Sequence, residues 1–330
     1  ERAGIRDLTV RASAVFNVHA PLIEAMRRGV VTGLECSYMD ARIGRAITQG
    51  VLERPVIFRS HGGRASAIES GETPVDVAFL AAPASDPMGN CSGKYGPSAC
   101  GSLGYAFADA SHARRVVVIC DTLLPYPLAD FSIPETCVDD VVAVDRIGEA
   151  SGIVSGTTNL TRDPVGLRMA AYAARAIEAA GLIRNGFSFQ AGAGGATLAA
   201  VRDVRDLMLK AKVKGSFGMG GITRHMVEML EQGLFEALLD VQCFDLEAVR
   251  SIRDNPRHRE ISAAQYAGTG PRGSAVDRLD AVLLGATEVD LDFNVNVHTD
   301  SSGLIMGGSG GHSDTAAGAK LALVVAPLLR

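Results

Sequence analysis

The sequence predicts an α/β protein built on mainly parallel sheets, and three observations lead there. Short apolar runs alternate with amphipathic, helix-compatible stretches through the first half of the chain and again after Pro164. Glycine is abundant at 37 residues while aromatic residues make up only 5% and tryptophan is absent, so Ala, Val, Leu and Ile must supply the core volume and glycines shape many loops. The 330 residues also exceed a single compact core, and at roughly 150 residues per domain the length favours two domains.

Taken in order, strands are expected over Leu8–Ala12, Val56–Phe58, Val75–Leu80, Val116–Cys120 and Asp140–Val144. Pro21 suits the first turn of a helix running to Arg28. Asp40 is placed to cap a helix over Ala41–Gln49, with Gly50 where a left-handed residue would close it. Around Gly148–Pro164 the pattern dissolves into Gly, Ser, Thr and Asn, which puts the domain boundary there and gives domains of 1–155 and 156–330. A helix over Val165–Ala180, closed by Gly181, opens the second half. It is followed by strand Phe187–Gln190, helix Ala196–Lys210, strand Ser216–Met219, helix Thr223–Gln232, and the apolar segments Ala237–Val241, Ala281–Ala286 and Leu321–Ala326. The apolar run Leu321–Leu329 has nothing after it to cover it, so both ends read as cut from a larger parent chain.

Composition excludes several classes. A net charge of −5 with 47% hydrophobic residues is that of a globular chain, and scattered Lys and Arg give no counterion-releasing stripe for nucleic acid. No apolar stretch approaches the ~20 residues of a membrane span. Glu1–Val10 lacks the apolar core of a signal peptide, so a cytoplasmic location is expected. The six cysteines form no C-x-x-C pair or zinc-ligand spacing, which predicts reduced, mostly buried thiols and no metal. His19, His112, His225, His258 and His298 have no partner spacing that suggests a metal or a triad, and no G-x-S-x-G, Walker loop or H-E-x-x-H occurs.

Five segments could carry chemistry. Ala191-Gly192-Ala193-Gly194-Gly195 joins an apolar strand to a helix, a turn that aims backbone N–H groups and the positive helix end at an anion or oxyanion, or simply a tight turn. Thr197 stands where a dinucleotide fold needs its third glycine, which ranks NAD low. Gly307-Gly308-Ser309-Gly310-Gly311-His312 is a second loop able to wrap a phosphate or thioester, with a flexible linker as its alternative. Glu288, Asp290 and Asp292 follow a buried strand at the edge where α/β sites assemble, or form a solvated strand end. Asn294 and Asn296 alternate with valines, placing both amides on one side of a strand. Arg59-Ser60-His61-Gly62-Gly63-Arg64 offers two guanidinium groups and an imidazole, a receptor for a polycarboxylate or a surface loop.

Together these segments resemble the α subunit family of citrate lyase, within the CoA-transferase superfamily. The stretches that carry the resemblance are Ser60-His61-Gly62-Gly63-Arg64, Asp76–Leu80, Cys100–Ala106, Leu123–Pro127, Phe187–Leu198, Gly220–Thr223, Leu238–Asp245, Glu260–Ala267, Val276–Asp280, Asn294–Val297 and Gly308–Ala316. The resemblance implies two CoA-transferase-like α/β domains of the ribose isomerase/CoA transferase type, each partial here. It implies exchange of the acetyl group of an acetyl-carrier-protein or acetyl-CoA thioester for citrate, giving a citryl thioester and acetate. No covalently bound cofactor is implied, the CoA or phosphopantetheine-type thioester being substrate. The implied partners are the β subunit and the acyl carrier γ subunit, in an oligomeric complex.

Within that resemblance, N–H groups of Gly192, Gly194 and Gly195 and of Gly220 and Gly221 suit the oxyanion, and His61 and Arg64, with Asn294 and Asn296, suit citrate. The Gly308, Gly310, Gly311 and His312 loop suits the pantetheine arm. Related CoA-transferases use a glutamate as nucleophile, but this chain reads Met219-Gly220-Gly221-Ile222 at the matching strand end. Direct transfer in a ternary complex is therefore expected, with two alternatives: another acyl-CoA transferase or an acyl-CoA hydrolase with a glutamyl intermediate on Glu288, and a silent scaffold that docks a carrier protein.

Overall fold

The computed structural model describes residues 4–153, 160–192 and 194–326. The expected boundary between residues 155 and 156 lies outside the described residues, as do Ala193 and the end of the Leu321–Leu329 run. The α/β class with mostly parallel sheets is what the structure shows.

The chain begins with a small parallel sheet in which Val31–Cys36 lies between Leu8–Arg11 and Ile57–Phe58. It packs on helices Pro21–Arg27 and Ala41–Thr48 around Leu34, Met39 and Ile43. Asp40 caps the second helix, its carboxylate accepting from Arg42 N at 2.9 Å, and Gly50 follows with φ +86°. The central strand is not announced by the local pattern, because Val-Thr-Gly-Leu-Glu-Cys carries a charge in a segment buried along its whole length. Glu35 is tolerated there because Arg59 Nε donates to it at 2.6 Å and Arg11 lies at 3.6 Å.

A second parallel sheet orders Asp140–Ala143, Arg115–Cys120 and Val77–Ala81. Between it and the first runs a helix, His61–Glu69, where the sequence suggested a loop. Gly62 and Gly63 disfavour a helix locally, but Ser60 caps it by accepting from Gly63 N at 3.0 Å. Gly62 is required by contact, since a Cβ there would fall 2.0 Å from the Ala267 carbonyl oxygen.

The second half forms one six-stranded parallel sheet, ordered His258–Glu260, Phe235–Cys243, Gly215–Ile222, Ser188–Ala191, Ala281–Gly285, Leu321–Val325. Helix Pro164–Ala179, capped by Asp163, packs Ala170, Ala173 and Ala174 against Ala199, Ala200 and Val204 of helix Gly195–Ala211, the close approach that small residues allow. A further core joins the halves: Ala65, Leu80 and Val118 pack with Met219, Val241, Tyr266 and Leu284. The six cysteines are free thiols, four of them buried. Among the described residues no helix is long and apolar enough to cross a membrane, and no group of three His, Cys, Asp or Glu could hold a metal ion.

Candidate active site

The large sheet reverses its winding between Ser188–Ala191 and Ala281–Gly285, because from the first of these the chain runs outward to one edge before returning to the second on the other side. Such a switch point leaves a crevice beyond the carboxyl ends of the two strands. Gly192 stands in it, tied across by its N–H to Leu283 O at 2.9 Å. Thr197, in the place of the missing third glycine, closes the turn: its buried hydroxyl lies 2.7 Å from both Gly192 O and Gly194 O. Gly194 then starts the 17-residue helix Gly195–Ala211 with no side chain capping it. That end of the helix carries the positive end of its dipole, which favours an anion. Thr197→Val keeps the volume and removes the hydroxyl, so it should lower stability by about 1–2 kcal/mol in urea denaturation.

The first half reaches this crevice through His61–Glu69. Asp314 anchors that helix from the far end of the sequence: Ser60 Oγ donates to it at 2.5 Å and Gly62 N at 3.0 Å. His61 N donates to Gly310 O at 3.0 Å and Gly310 N to Ser37 O at 3.0 Å, so the second glycine loop, itself in the second half, is stitched to the first. The glycines are dictated by crowding, since a Cβ on Gly308 would fall 2.4 Å from Ser37 O and one on Gly311 2.4 Å from the Tyr266 hydroxyl. Gly310, at φ +54°, presents its α-carbon to the His61 ring, a Cβ there lying 3.2 Å from Nε2. That imidazole also packs against Tyr105, with ring centroids 4.3 Å apart. His312 points its Nε2 toward Gly192, where a Cβ would lie 3.9 Å away.

The polar groups at this junction are short of partners. His61 Nδ1, His312 Nδ1, Gln190 Oε1 and Ser37 Oγ are all closed off from solvent without a hydrogen bond. Gln190 Nε2 donates to the Tyr266 hydroxyl at 2.9 Å, and the glutamine amide lies against Gly220. Native interiors satisfy nearly all such atoms, so several orphans gathered in one place mark a site built for something else to bind. Burial, reinforced by His312 and then Arg64, pushes the His61 imidazole down to about 3, and burial also lowers His312. Both rings are neutral at pH 7, each with one N–H to donate and one nitrogen to accept.

The same shift has a stability consequence. A folded-state value of about 3 below the ordinary 6.5 means the unfolded chain takes up the proton first. The His61 contribution is therefore present above pH 6.5 and lost as pH falls from there toward 3. Urea midpoints should drop across that window, and the drop should be smaller in His61→Phe.

A family model for the citrate lyase alpha subunit matches residues 1–330. The citrate lyase alpha chain of Klebsiella pneumoniae is 47% identical over 327 residues, covering 99% of this chain and 64% of its own length. That of Escherichia coli strain K12 is 46% identical over 329 residues, with 100% and 64% covered. The chain belongs to the citrate lyase alpha subunit family. It spans 64% of the length of these relatives. A crystal structure described as the citrate lyase alpha subunit of Streptococcus mutans in complex with citrate superposes with a TM-score of 0.96 at 49% identity, over 100% of this chain and 65% of that one. An acyl-CoA transferase of E. coli O157:H7, solved as a thioester complex with CoA, matches at TM-score 0.61 and 17% identity over 99% of this chain and 71% of that one, which shows a shared CoA-transferase-type fold alone. A Pseudomonas malonate decarboxylase hetero-tetramer shares the fold likewise, at TM-score 0.70 and 20% identity over 96% and 57%.

On this member of the citrate lyase alpha family the structure brings His61, Gly192, Gly194, Gly195, Gly308, Gly310, Gly311 and His312 to one junction. It does not leave the arginines free there. The Arg64 guanidinium, expected to face a polycarboxylate, instead donates to both oxygens of Asp109 at 2.7 and 2.8 Å in a buried pair. Arg59 is likewise held by Glu35 and Glu72. Gly220 and Gly221 lie within strand Gly215–Ile222, at a bulge opposite Asp240 and Gln242, and not in a loop beyond it. Close packing explains both, since a Cβ on Gly220 would strike the Gln190 amide and one on Gly221 the Phe244 ring.

Glu288 and the asparagines form a hairpin of Glu288–Val289 with Val295–Asn296. The amides turn into their own loop: Asn294 Nδ2 donates to Asp290 at 2.8 Å, and Asn296 Nδ2 to Glu288 at 3.2 Å and Thr299 O at 2.9 Å. Ser301 also donates to Glu288. Gln190, Tyr266, Tyr105 and Ser37 are site residues that no motif in the sequence marks. Gln190 did carry a signal, a buried amide directly before the glycine turn, whereas the other three have none in the local pattern.

Proposed function

We propose that this chain acts as a citrate:acyl-thioester transferase at the switch-point crevice. The observation that carries the reading is the meeting of two neutral histidines, with orphaned buried nitrogens, at the glycine turn. A carboxylate oxygen of citrate attacks the carbonyl carbon of the acetyl thioester, a C–O bond forming as the C–S bond breaks. The released thiolate then attacks the citryl carbonyl of the mixed anhydride, giving citryl thioester and acetate. Each attack creates an oxyanion, which the N–H groups of Gly194 and Gly195 at the uncapped helix start and an imidazole N–H are placed to stabilise. His61, held in place by Gly310 and Tyr105, cannot easily become a cation, so it serves as a hydrogen-bond donor to the oxyanion or to citrate.

Glu288 enters only as the rival nucleophile, and both its oxygens already accept hydrogen bonds, from Asn296 and Ser301, which favours direct transfer. The carrier thioester, the β subunit that would cleave the citryl product and the γ carrier subunit belong to the same proposal. The test is incubation with acetyl-CoA and labelled citrate, read by mass spectrometry. Citryl-CoA and acetate without a labelled peptide support direct transfer. A hydroxylamine-sensitive adduct on Glu288 replaces it with the glutamyl route, and neither product with retained carrier binding leaves a docking subunit.

A further inference from the structure

A second feature lies on the outer side of the same glycine turn. A cavity of about 700 Å³ is lined by Leu160, Thr161, Arg162, Leu167, Arg202 and Arg224. No carboxylate is among these lining residues. Arg202 meets Asp203 at 3.6 Å, and Arg224 donates its backbone N–H to Asp245 at 2.7 Å. Three exposed arginines line one hollow, where their like charges repel each other and gain when an anion sits between them.

The position says which anion. Thr161, in the cavity wall, donates its N–H to Gly195 O at 3.1 Å, whereas Gly192, three residues earlier on the same turn, faces His312. The cavity and the histidine junction therefore flank a single turn, one exposed and cationic, the other closed and neutral. A ligand using both would carry an uncharged reactive end and a multiply charged tail. A compact tricarboxylate has no such division, whereas a 4′-phosphopantetheine thioester has a neutral arm that ends in phosphate.

We infer that Arg162, Arg202 and Arg224 bind the phosphate groups at the far end of the thioester substrate, an inference that rests on the transferase reading above. The shared chemistry is phosphate on a pantetheine arm, whether from free CoA or from a carrier protein.

Titration calorimetry on the chain with CoA, 4′-phosphopantetheine and pantetheine tests it independently of turnover. CoA should bind more tightly than pantetheine, and Arg202→Gln should weaken CoA about tenfold, the loss of one charge-assisted contact. A variant with all three arginines replaced by glutamine should bind CoA no better than pantetheine. Equal losses for CoA and 4′-phosphopantetheine place the contact on the phosphate common to both sources; losses for CoA alone place it on the nucleotide. Undetectable CoA binding by the unsubstituted chain, or undiminished binding by the folded triple variant, would overturn the inference. So would a loss of citrate affinity in its place. Acetyl transfer with arginine-independent CoA binding would sink this inference and leave the transferase reading standing, and arginine-dependent binding without transfer would do the reverse.

Discussion

Asp109→Ala should cost the chain about 3–5 kcal/mol of stability, the expected price of leaving one member of a buried ion pair alone. Arg64 and Asp109 have side chains only 6% and 12% exposed and are joined through both carboxylate oxygens. Water cannot replace Asp109 around the guanidinium without opening the packing of helix His61–Glu69 against helix Ala106–His112. Removing both charges, as in Arg64→Met with Asp109→Leu, should recover much of the loss, because a buried pair is strongly coupled and an apolar replacement escapes the desolvation penalty. Urea denaturation of the two single variants and the double variant measures that coupling. The experiment also decides between two roles for Arg64. A citrate-binding arginine would show its main effect in the KM for citrate with little change in stability, whereas the geometry predicts a main effect on the unfolding midpoint.

His61→Phe should do the opposite, abolishing most transfer while leaving the fold intact. The phenyl ring keeps the tilted contact with Tyr105, and neither ring nitrogen of His61 has a protein partner to lose: Nδ1 is orphaned and Nε2 faces the Gly310 α-carbon. Removing an unsatisfied buried polar atom is neutral or stabilising for folding. Losing a donor to a developing oxyanion typically lowers kcat by about 10²–10³. Single-turnover acetyl exchange and a urea melt, run on the same preparation, give both readouts. Unchanged exchange would remove His61 from the reaction. Since its imidazole stays neutral down to a pH of about 3, the activity of the unsubstituted chain should show no inflection near pH 6.5 from this residue.

The large sheet was the most legible part of the fold. Ala281–Gly285 and Leu321–Val325 are near-continuous apolar runs, and the glycine turn after Ser188–Ala191 announces itself by composition. Val31–Cys36 was hidden because its Glu35 is neutralised by Arg59, 24 residues away. Helix His61–Glu69 was hidden because Gly62 is chosen for its contact with Ala267 and not for helix formation. The same distinction runs through the candidate site. His61, His312 and the two glycine loops could be named from the sequence, but their meeting depends on Ser60 reaching Asp314, 254 residues on.

The sequence by itself determined which segments could hold an anion, since backbone N–H groups in a glycine turn need no partner to be useful. Only the tertiary structure decided which side chains remain free to bind one. Arg64 and Asn296 are the right residue types, yet each is already paired, with Asp109 and with Glu288 and Thr299. Arg162, Arg202 and Arg224 looked like scattered surface charges until folding gathered them in one cavity. The reason is that a charge is satisfied by whatever lies within a few ångströms in space. Local periodicity records the face a residue presents and carries no information about the partner that folding brings to it.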